Sequence, residues 1–449
     1  MKNLNVPVPV YLISLFIINL ILGSTMGLSY DESYYWIYSK FIAWGYYDHP
    51  PMVALLIKLG TYISDSEFGI RLLFNFMGIG SLWLMWDLTN KTRALVFTVV
   101  TLSLPLVQSA GFLALPDTPL MFFSVLFLWL TNKYIKLDSY KIAFAIAVVI
   151  SLLFYSKYHG LLVVILTVCA APELFKRKSF WLIIILTVLF YLPHMLWQYK
   201  NDFVTFDFHL NGRGEKHFDL QNIKNYLTSQ MALFGTTFFI AFLFLMKKIN
   251  FKDKLEKILS FNVIGFFVIL FFVSFRNQIE ANWTVTACAF FGVLIVLLFE
   301  KFESSKTKII LLGCIPMSLI LALRVILILP DSFYEGKDIG RLNEVKGWDS
   351  RIEILKKHTK DLPLVAETYQ YGAKVSFELR RIIPVEHFRG RDSHYTLLNL
   401  TKNIDKDQPI YYLTPRKHDN SVKIETGYKD PLFIIKTTLR ELAKEHRKE

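Results

Sequence analysis

Two acidic centres share one stretch of sequence, YDESYYWIYSKFIAWGYYDHPP from Tyr30 to Pro51: Asp31 beside Glu32, and Asp48 beside His49. A carboxylate can take the proton of an attacking hydroxyl, and an imidazole next to a carboxylate can hold a divalent metal or meet a phosphate. Each of these residues also has a plain structural use. Ser29 and Glu32 have capping-box spacing, so Glu32 is accounted for as the side chain that reaches back to the Ser29 amide. Asp31 is not needed for that box. A carboxylate in a first helical turn is kept ionised by the helix dipole and stays available as a base, although a second capping role explains it equally well. Asp48-His49-Pro50-Pro51 doubles as the start of another helix, with proline at its first position.

Further candidates lie far along the chain. Asp117, in LPDTP, reads first as an N-cap and second as an acidic site residue. Lys157 and His159 stand in SKYHG; a lysine at a membrane edge usually snorkels, but it can also be kept to meet an anion. The same reasoning covers His209, Arg213 and Lys216 in FHLNGRGEKH, and Arg276 in RNQIEANW. The tyrosines and tryptophans around Asp31 and Asp48 are most simply an interfacial belt, and some could stack on a sugar. Convergence is what lifts these residues above their plain readings. Carboxylates, imidazoles and cations on one membrane face make a site for moving a group off a membrane-bound phosphate.

That face has to be built by membrane helices. Hydrophobic residues make up 53% of the 449 and aromatics 16%, and the mean hydropathy is +0.38, which places the chain among polytopic membrane proteins. The net charge of +13 sits in short clusters between apolar runs, a pattern that suits anionic lipid and topology and not nucleic acid. Cys169, Cys288 and Cys314 lie inside apolar runs and outline neither a disulfide framework nor a zinc site. The first run, Val10 to Leu28, is long and has no small-residue cleavage site, so it reads as an uncleaved helix.

Runs of suitable length predict about eleven spans: Val10 to Leu28, Phe68 to Leu88, Ala94 to Leu113, Thr118 to Tyr134, Ile142 to Tyr155, Gly160 to Phe175, Phe180 to Trp197, Met231 to Met246, Leu259 to Phe275, Thr284 to Phe299 and Ile309 to Leu329. Successive loops alternate in charge. Lys91 with Arg93, Lys133 to Lys141, Lys176 to Lys178, Lys247 to Lys257 and Lys301 to Lys308 mark the cytoplasmic turns. Every candidate named above then falls on the opposite, outer face. Past residue 330 the long apolar runs stop, and Leu362 to Glu367, Ile410 to Thr414 and Leu432 to Thr437 read as strands. The expected division is a membrane domain over 1–330 and a small outer α/β domain over 331–449.

The segments DESYYW (31–36), GYYDHPP (45–51), LPDTP (115–119), SKYHG (156–160) and IEANW (279–283), with GW at 347–348 and AETYQYGAKVSFEL in the tail, resemble the bacterial membrane glycosyltransferases of the GT-C superfamily. The branch is that of the protein O-mannosyltransferases and the lipid A aminoarabinose transferase. The resemblance implies an enzyme that takes a sugar from a polyprenyl-phosphate carrier at the outer face of a bacterial inner membrane, with inversion at the anomeric carbon. It implies Asp31 as general base and Asp117 as a second acidic residue. It brings Asp48 and His49 toward the carrier phosphate or a metal, puts Lys157 where a cation is usual, and likens His209 to a histidine of the relatives' long outer loop. With the residues read above, the expected substrate or carrier-phosphate set is Glu32, Asp48, His49, Lys157, His159, Arg213, Arg276 and Glu280, with a divalent metal at Asp48 and His209. The acceptor is a lipid, a glycan or a protein, and membrane lipids are the surrounding partners.

Two other classes fit the composition. A transporter or flippase for a lipid-linked substrate predicts ionisable residues near the bilayer midplane and paired broken helices. A non-catalytic scaffold predicts that the clustered acids are dispensable.

Overall fold

The computed structural model describes residues 7–210, 218–301, 306–334, 337, 339–359, 362–388, 391–418, 421–424 and 432–446. Its first helices are α1 (Val8–Thr25), α2 (Tyr30–Lys40), α3 (Met52–Thr61), α4 (Glu67–Leu88), α5 (Ala94–Leu102), α6 (Pro105–Ser109) and α7 (Asp117–Lys136). Next come α8 (Tyr140–Ser156), α9 (His159–Ala170), α10 (Lys178–Lys200), α11 (Val204–Leu210), α12 (Leu220–Leu233) and α13 (Thr236–Leu245). The last long helices are α14 (Lys254–Val273), α15 (Val285–Glu300) and α16 (Lys306–Ile328). This is a multi-pass membrane protein.

All eleven expected runs are helical over most of their length. Their lengths differ from expectation for identifiable reasons. Pro105 cannot continue α5, so the run from Ala94 breaks into α5 and α6. The run around Met231 turns by 94° between α12 and α13. The corner is Gly235, whose φ of +65° suits glycine and whose added Cβ would lie 2.4 Å from the Ser103 carbonyl oxygen. By length and apolarity alone, six helices among the described residues qualify as spans, or seven if the α12 and α13 pair is one. Of these spans the one formed by α15 is the most buried, with nearly every side chain covered.

Beyond α16 the chain forms α17 (Trp348–His358), α18 (Tyr369–Leu379), α19 (His394–Leu398) and α20 (Leu439–His446) around a four-stranded sheet. The strands are β1 (Leu364–Ala366), β2 (Ile410–Thr414), β3 (Val422–Ile424) and β4 (Leu432–Thr437), in the order β1-β2-β4-β3. β1 runs parallel to β2, while β4 is antiparallel to both β2 and β3. The three expected strands are present, and β3, short and half exposed, is additional.

This segment packs directly on the stretch that carries the acids. The Phe377 ring of α18 meets Trp36 of α2 edge-on at 5.4 Å. The fully buried Lys374 donates from Nζ to the Leu28 carbonyl at 2.6 Å, and an ion pair with Glu378 at 3.1 Å supports its charge. One hydrophobic core therefore runs from the membrane helices into the C-terminal segment.

Candidate active site

α2 begins where the capping box requires: the Glu32 amide donates to Ser29 Oγ at 3.3 Å, and Glu32 Oε2 accepts from the Ser29 amide at 3.0 Å. Glu32 is bound further. Arg71 donates to its two oxygens at 2.7 and 2.6 Å, and the Ala114 amide donates to Oε1 at 3.0 Å. The remaining donors of Arg71 take the carbonyls of Gly23, Met26 and Gly27. One guanidinium thus joins the end of α1, the start of α2 and the body of α4, a use that needs the planar fork of arginine. Burial alone would raise the Glu32 pKa, but Arg71 and the Ala114 and Ser29 amides hold it below the usual range. The expectation that Glu32 touches substrate is corrected: it is 0% exposed and both oxygens are committed.

With Glu32 pinned, its neighbour Asp31 borders a cavity of about 540 Å³. Asp48, His49, Lys157, His159, His209 and Glu280 line the same chamber, so seven of the candidates, scattered over 250 positions, converge. Glu32, Asp117 and Arg276 do not line it. Arg213 and Lys216 lie outside the described residues. Surrounding protein pushes the Asp31 carboxyl up to about 6; Glu344 and Asp48 add to the rise, Arg391 opposes it, and Glu280 adds a smaller push. The side chain nonetheless reaches the open space of the chamber. A carboxylate of that pKa, facing a hollow, suits a general base at neutral pH.

Asp117 is not the N-cap that its sequence context suggests. It is the first residue of α7, the preceding Pro116 makes no side-chain cap, and the carboxylate turns elsewhere. Oδ1 accepts from Lys157 Nζ at 2.8 Å and Oδ2 from Asn282 Nδ2 at 2.8 Å. Lys157, a cation in a loop where the charge bias predicts none, therefore has a protein anion as its partner.

Nor do Asp48 and His49 cap α3, whose cap residue is Pro51. Gly45 sets up this turn: a Cβ there would lie 2.4 Å from the Trp197 ring, so only glycine lets the loop lie flat on α10. Asp48 is buried; the Tyr38 hydroxyl donates to Oδ1, and Arg391 Nη2 reaches Oδ2 at 3.4 Å. His209 meets Asp48 through the backbone, with Nε2 3.0 Å from the carbonyl oxygen. This carbonyl contact links the two residues expected to hold a metal. Among the described residues, no three histidine, cysteine, aspartate or glutamate side chains gather as a ligand set would.

The C-terminal segment supplies wall residues absent from the expectation: Arg341, Glu344, Tyr369, Gln370 and Arg391. Glu344 Oε2 accepts the Tyr30 amide at 3.3 Å, and burial raises its carboxyl pKa against the pull of that amide and Arg341. Tyr369 and Gln370 fall within AETYQYGAKVSFEL, so a signal for them existed in the sequence. Arg341, Glu344 and Arg391 carried none.

A second cavity, about 710 Å³, shares Asp31, Arg341 and Glu344 with the first. Its other walls are mostly apolar, among them Pro105, Leu113, Ile320, Leu323 and Leu327. A polar chamber and an apolar groove thus meet at Asp31. That arrangement suits a substrate with a charged or sugar head and a long hydrocarbon chain.

Comparison with known proteins follows the same lines. A family model described as dolichyl-phosphate-mannose-protein mannosyltransferase matches residues 48–197. The lipid A galacturonosyltransferase RgtD of Rhizobium johnstonii is 25% identical over 272 residues, a match that spans 57% of this chain and 57% of that protein's length. The crystal structure of apo ArnT from Cupriavidus metallidurans superposes with a TM-score of 0.71 at 12% identity, covering 97% of this chain and 98% of that one. ArnT from the same organism bound to undecaprenyl phosphate gives 0.69 at 14% identity, over 96% and 97% of the two chains. The resemblance to the GT-C membrane glycosyltransferases is borne out.

Proposed function

From a chain with the GT-C glycosyltransferase fold, we propose an inverting glycosyltransferase that moves a sugar from a polyprenyl-phosphate carrier to an acceptor on the outer face of a bacterial inner membrane. The observation that carries this reading is the meeting of polar chamber and apolar groove at Asp31, whose carboxyl is pushed up to about 6. The prenyl chain lies in the groove and the sugar in the chamber. Asp31 takes the proton of the acceptor hydroxyl, whose oxygen attacks the anomeric carbon. The bond from that carbon to the phosphate oxygen breaks, and the carrier leaves as polyprenyl phosphate with the electron pair.

The similarity to RgtD favours a lipid of the lipid A type over a protein or free glycan as acceptor. Loop charge supports an outer site, and residues 331–449 form the outer domain that completes it. The divalent ion expected at Asp48 and His209 finds no set of three side-chain ligands among the described residues, and no step here is routed through one.

The test uses the purified protein in lipid nanodiscs with a panel of polyprenyl-phosphate sugars and an envelope lipid extract. Release of polyprenyl phosphate together with a heavier acceptor is the expected result. A transporter would instead move the intact sugar-linked carrier across a vesicle membrane without releasing it, and that outcome would overturn the reading. One observation already weighs against transport: Arg324 of α16 lies about one turn from the helix end, where it donates to Asn19 and Gln108 at 2.9 and 3.0 Å.

A further inference from the structure

Of the cations around the chamber, Lys157 is the least able to serve an incoming anion. Its side chain is 7% exposed and closed on Asp117. Arg391 borders the same chamber but keeps 38% of its side chain exposed. Its guanidinium lies over the rings of Tyr369 and Phe208, 4.8 and 5.1 Å from their centroids. Nη2 donates to the Tyr369 hydroxyl at 2.8 Å and toward Asp48 at 3.4 Å. Among the described residues its hydrogen bonds run through Nη2, which leaves the Nη1 and Nε donors unspent.

A guanidinium fixed by two rings, a hydroxyl and a carboxylate has lost its rotamer freedom before any ligand arrives, and its open edge matches two oxygens of a phosphate. The surroundings require such a group. Asp31, Asp48, Glu280 and Glu344 share the chamber with Lys157, Arg341 and Arg391, so a phosphate that settles there meets four carboxylates and needs a directed counter-charge. Asp48 itself, buried between Tyr38 and Arg391, cannot face a phosphate with profit; it serves by holding the arginine.

We propose that Arg391, delivered by the C-terminal segment, grips a phosphate ester of the substrate with its open guanidinium edge while Asp48 and Tyr369 hold it in place. This rests on the transferase reading, and it makes the C-terminal segment part of the binding site. The phosphate belongs either to the carrier or to a phosphorylated glycolipid acceptor.

The experiment compares binding of undecaprenyl phosphate and undecaprenol to the full-length protein in nanodiscs, with a bis-phosphorylated glycolipid and its dephosphorylated form as a second arm. Wild type prefers the phosphorylated lipid in at least one arm. Arg391→Ala loses that preference by roughly 10- to 100-fold, as expected for charge-assisted hydrogen bonds. Arg391→Lys, which keeps the charge but not the fork, recovers part of it. The arm in which preference is lost identifies the source of the phosphate.

If Arg391→Ala does not fold, Tyr369→Phe decides the matter, because it removes one anchor and keeps the ring; affinity equal to wild type would overturn the clamp. An unchanged preference in a folded Arg391→Ala protein would overturn the clamp and leave the transferase reading standing. Wild type without preference in either arm would bring down both.

Discussion

Lys157 Nζ lies 2.8 Å from Asp117 Oδ1 with the two side chains only 7% and 5% exposed, and Asn282 occupies the other carboxylate oxygen. Forty positions apart in sequence, the two residues form a buried ion pair, with Lys157 in the chamber wall and Asp117 behind it. Removing one partner strands a buried charge. Asp117→Asn is expected to cost about 3–5 kcal/mol of stability, and adding Lys157→Met should return most of it. Thermal melts in detergent measure both. A single variant that melts like wild type yet has lost transfer would instead make Asp117 a residue that touches substrate.

Asp31 acts as a base only when ionised, and its carboxyl is pushed up to about 6. Transfer should therefore fall as pH drops through that value and level off above it. Asp31→Asn should lower the rate by roughly 100- to 10,000-fold, the usual contribution of a general base, and remove the acid limb. The pH dependence of kcat measures this; a limb that persists in the variant would assign the base elsewhere.

The groups facing Asp31 set where that limb lies: Glu344, Asp48 and Glu280 raise its pKa and Arg391 lowers it. Glu344→Gln removes a negative neighbour, so ionisation becomes easier and the acid limb should move to lower pH. Arg391→Gln removes the opposing cation and should move it to higher pH. Shifts in the same direction for both variants would mean that charge is not what sets the limb.

Glu32 supplies the opposite sign. Its folded pKa is depressed, so the stabilisation from Arg71 is present above the ordinary carboxylate value and is lost as pH falls through the folded value. Wild type should lose melting temperature in acid. Arg71→Ala, which leaves Glu32 buried and unpaired, should cost about 3–5 kcal/mol at neutral pH and show less of this acid loss. Equal melting curves for the two proteins at pH 7 would remove Arg71 from the fold's supports.

Much of this was legible in the sequence because membrane helices and capping boxes are local. The Ser29 and Glu32 spacing gave the start of α2, the grouping of acids and cations in alternate loops anticipated that seven of them share one chamber, and β-rich composition marked three of the four strands. What stayed hidden is non-local. No spacing rule connects Arg391 with Asp48 across 343 positions, or Lys374 with the Leu28 carbonyl across 346. Asp117 misled for a related reason: its LPDTP setting is a sound local signal for a cap, and the distant Lys157 and Asn282 outcompeted it. Glu32 looked available to substrate until Arg71, 39 positions on, was seen to occupy it.

The most direct measurement is mass spectrometry of envelope lipids, glycans and proteins from cells carrying wild type, a deletion, or Asp31→Asn at equal protein levels. The expected result is one sugar mass absent from one acceptor in both the deletion and Asp31→Asn, with the sugar-linked carrier accumulating. An acceptor profile in Asp31→Asn identical to wild type would contradict the assignment of Asp31 as the base of a glycosyl transfer.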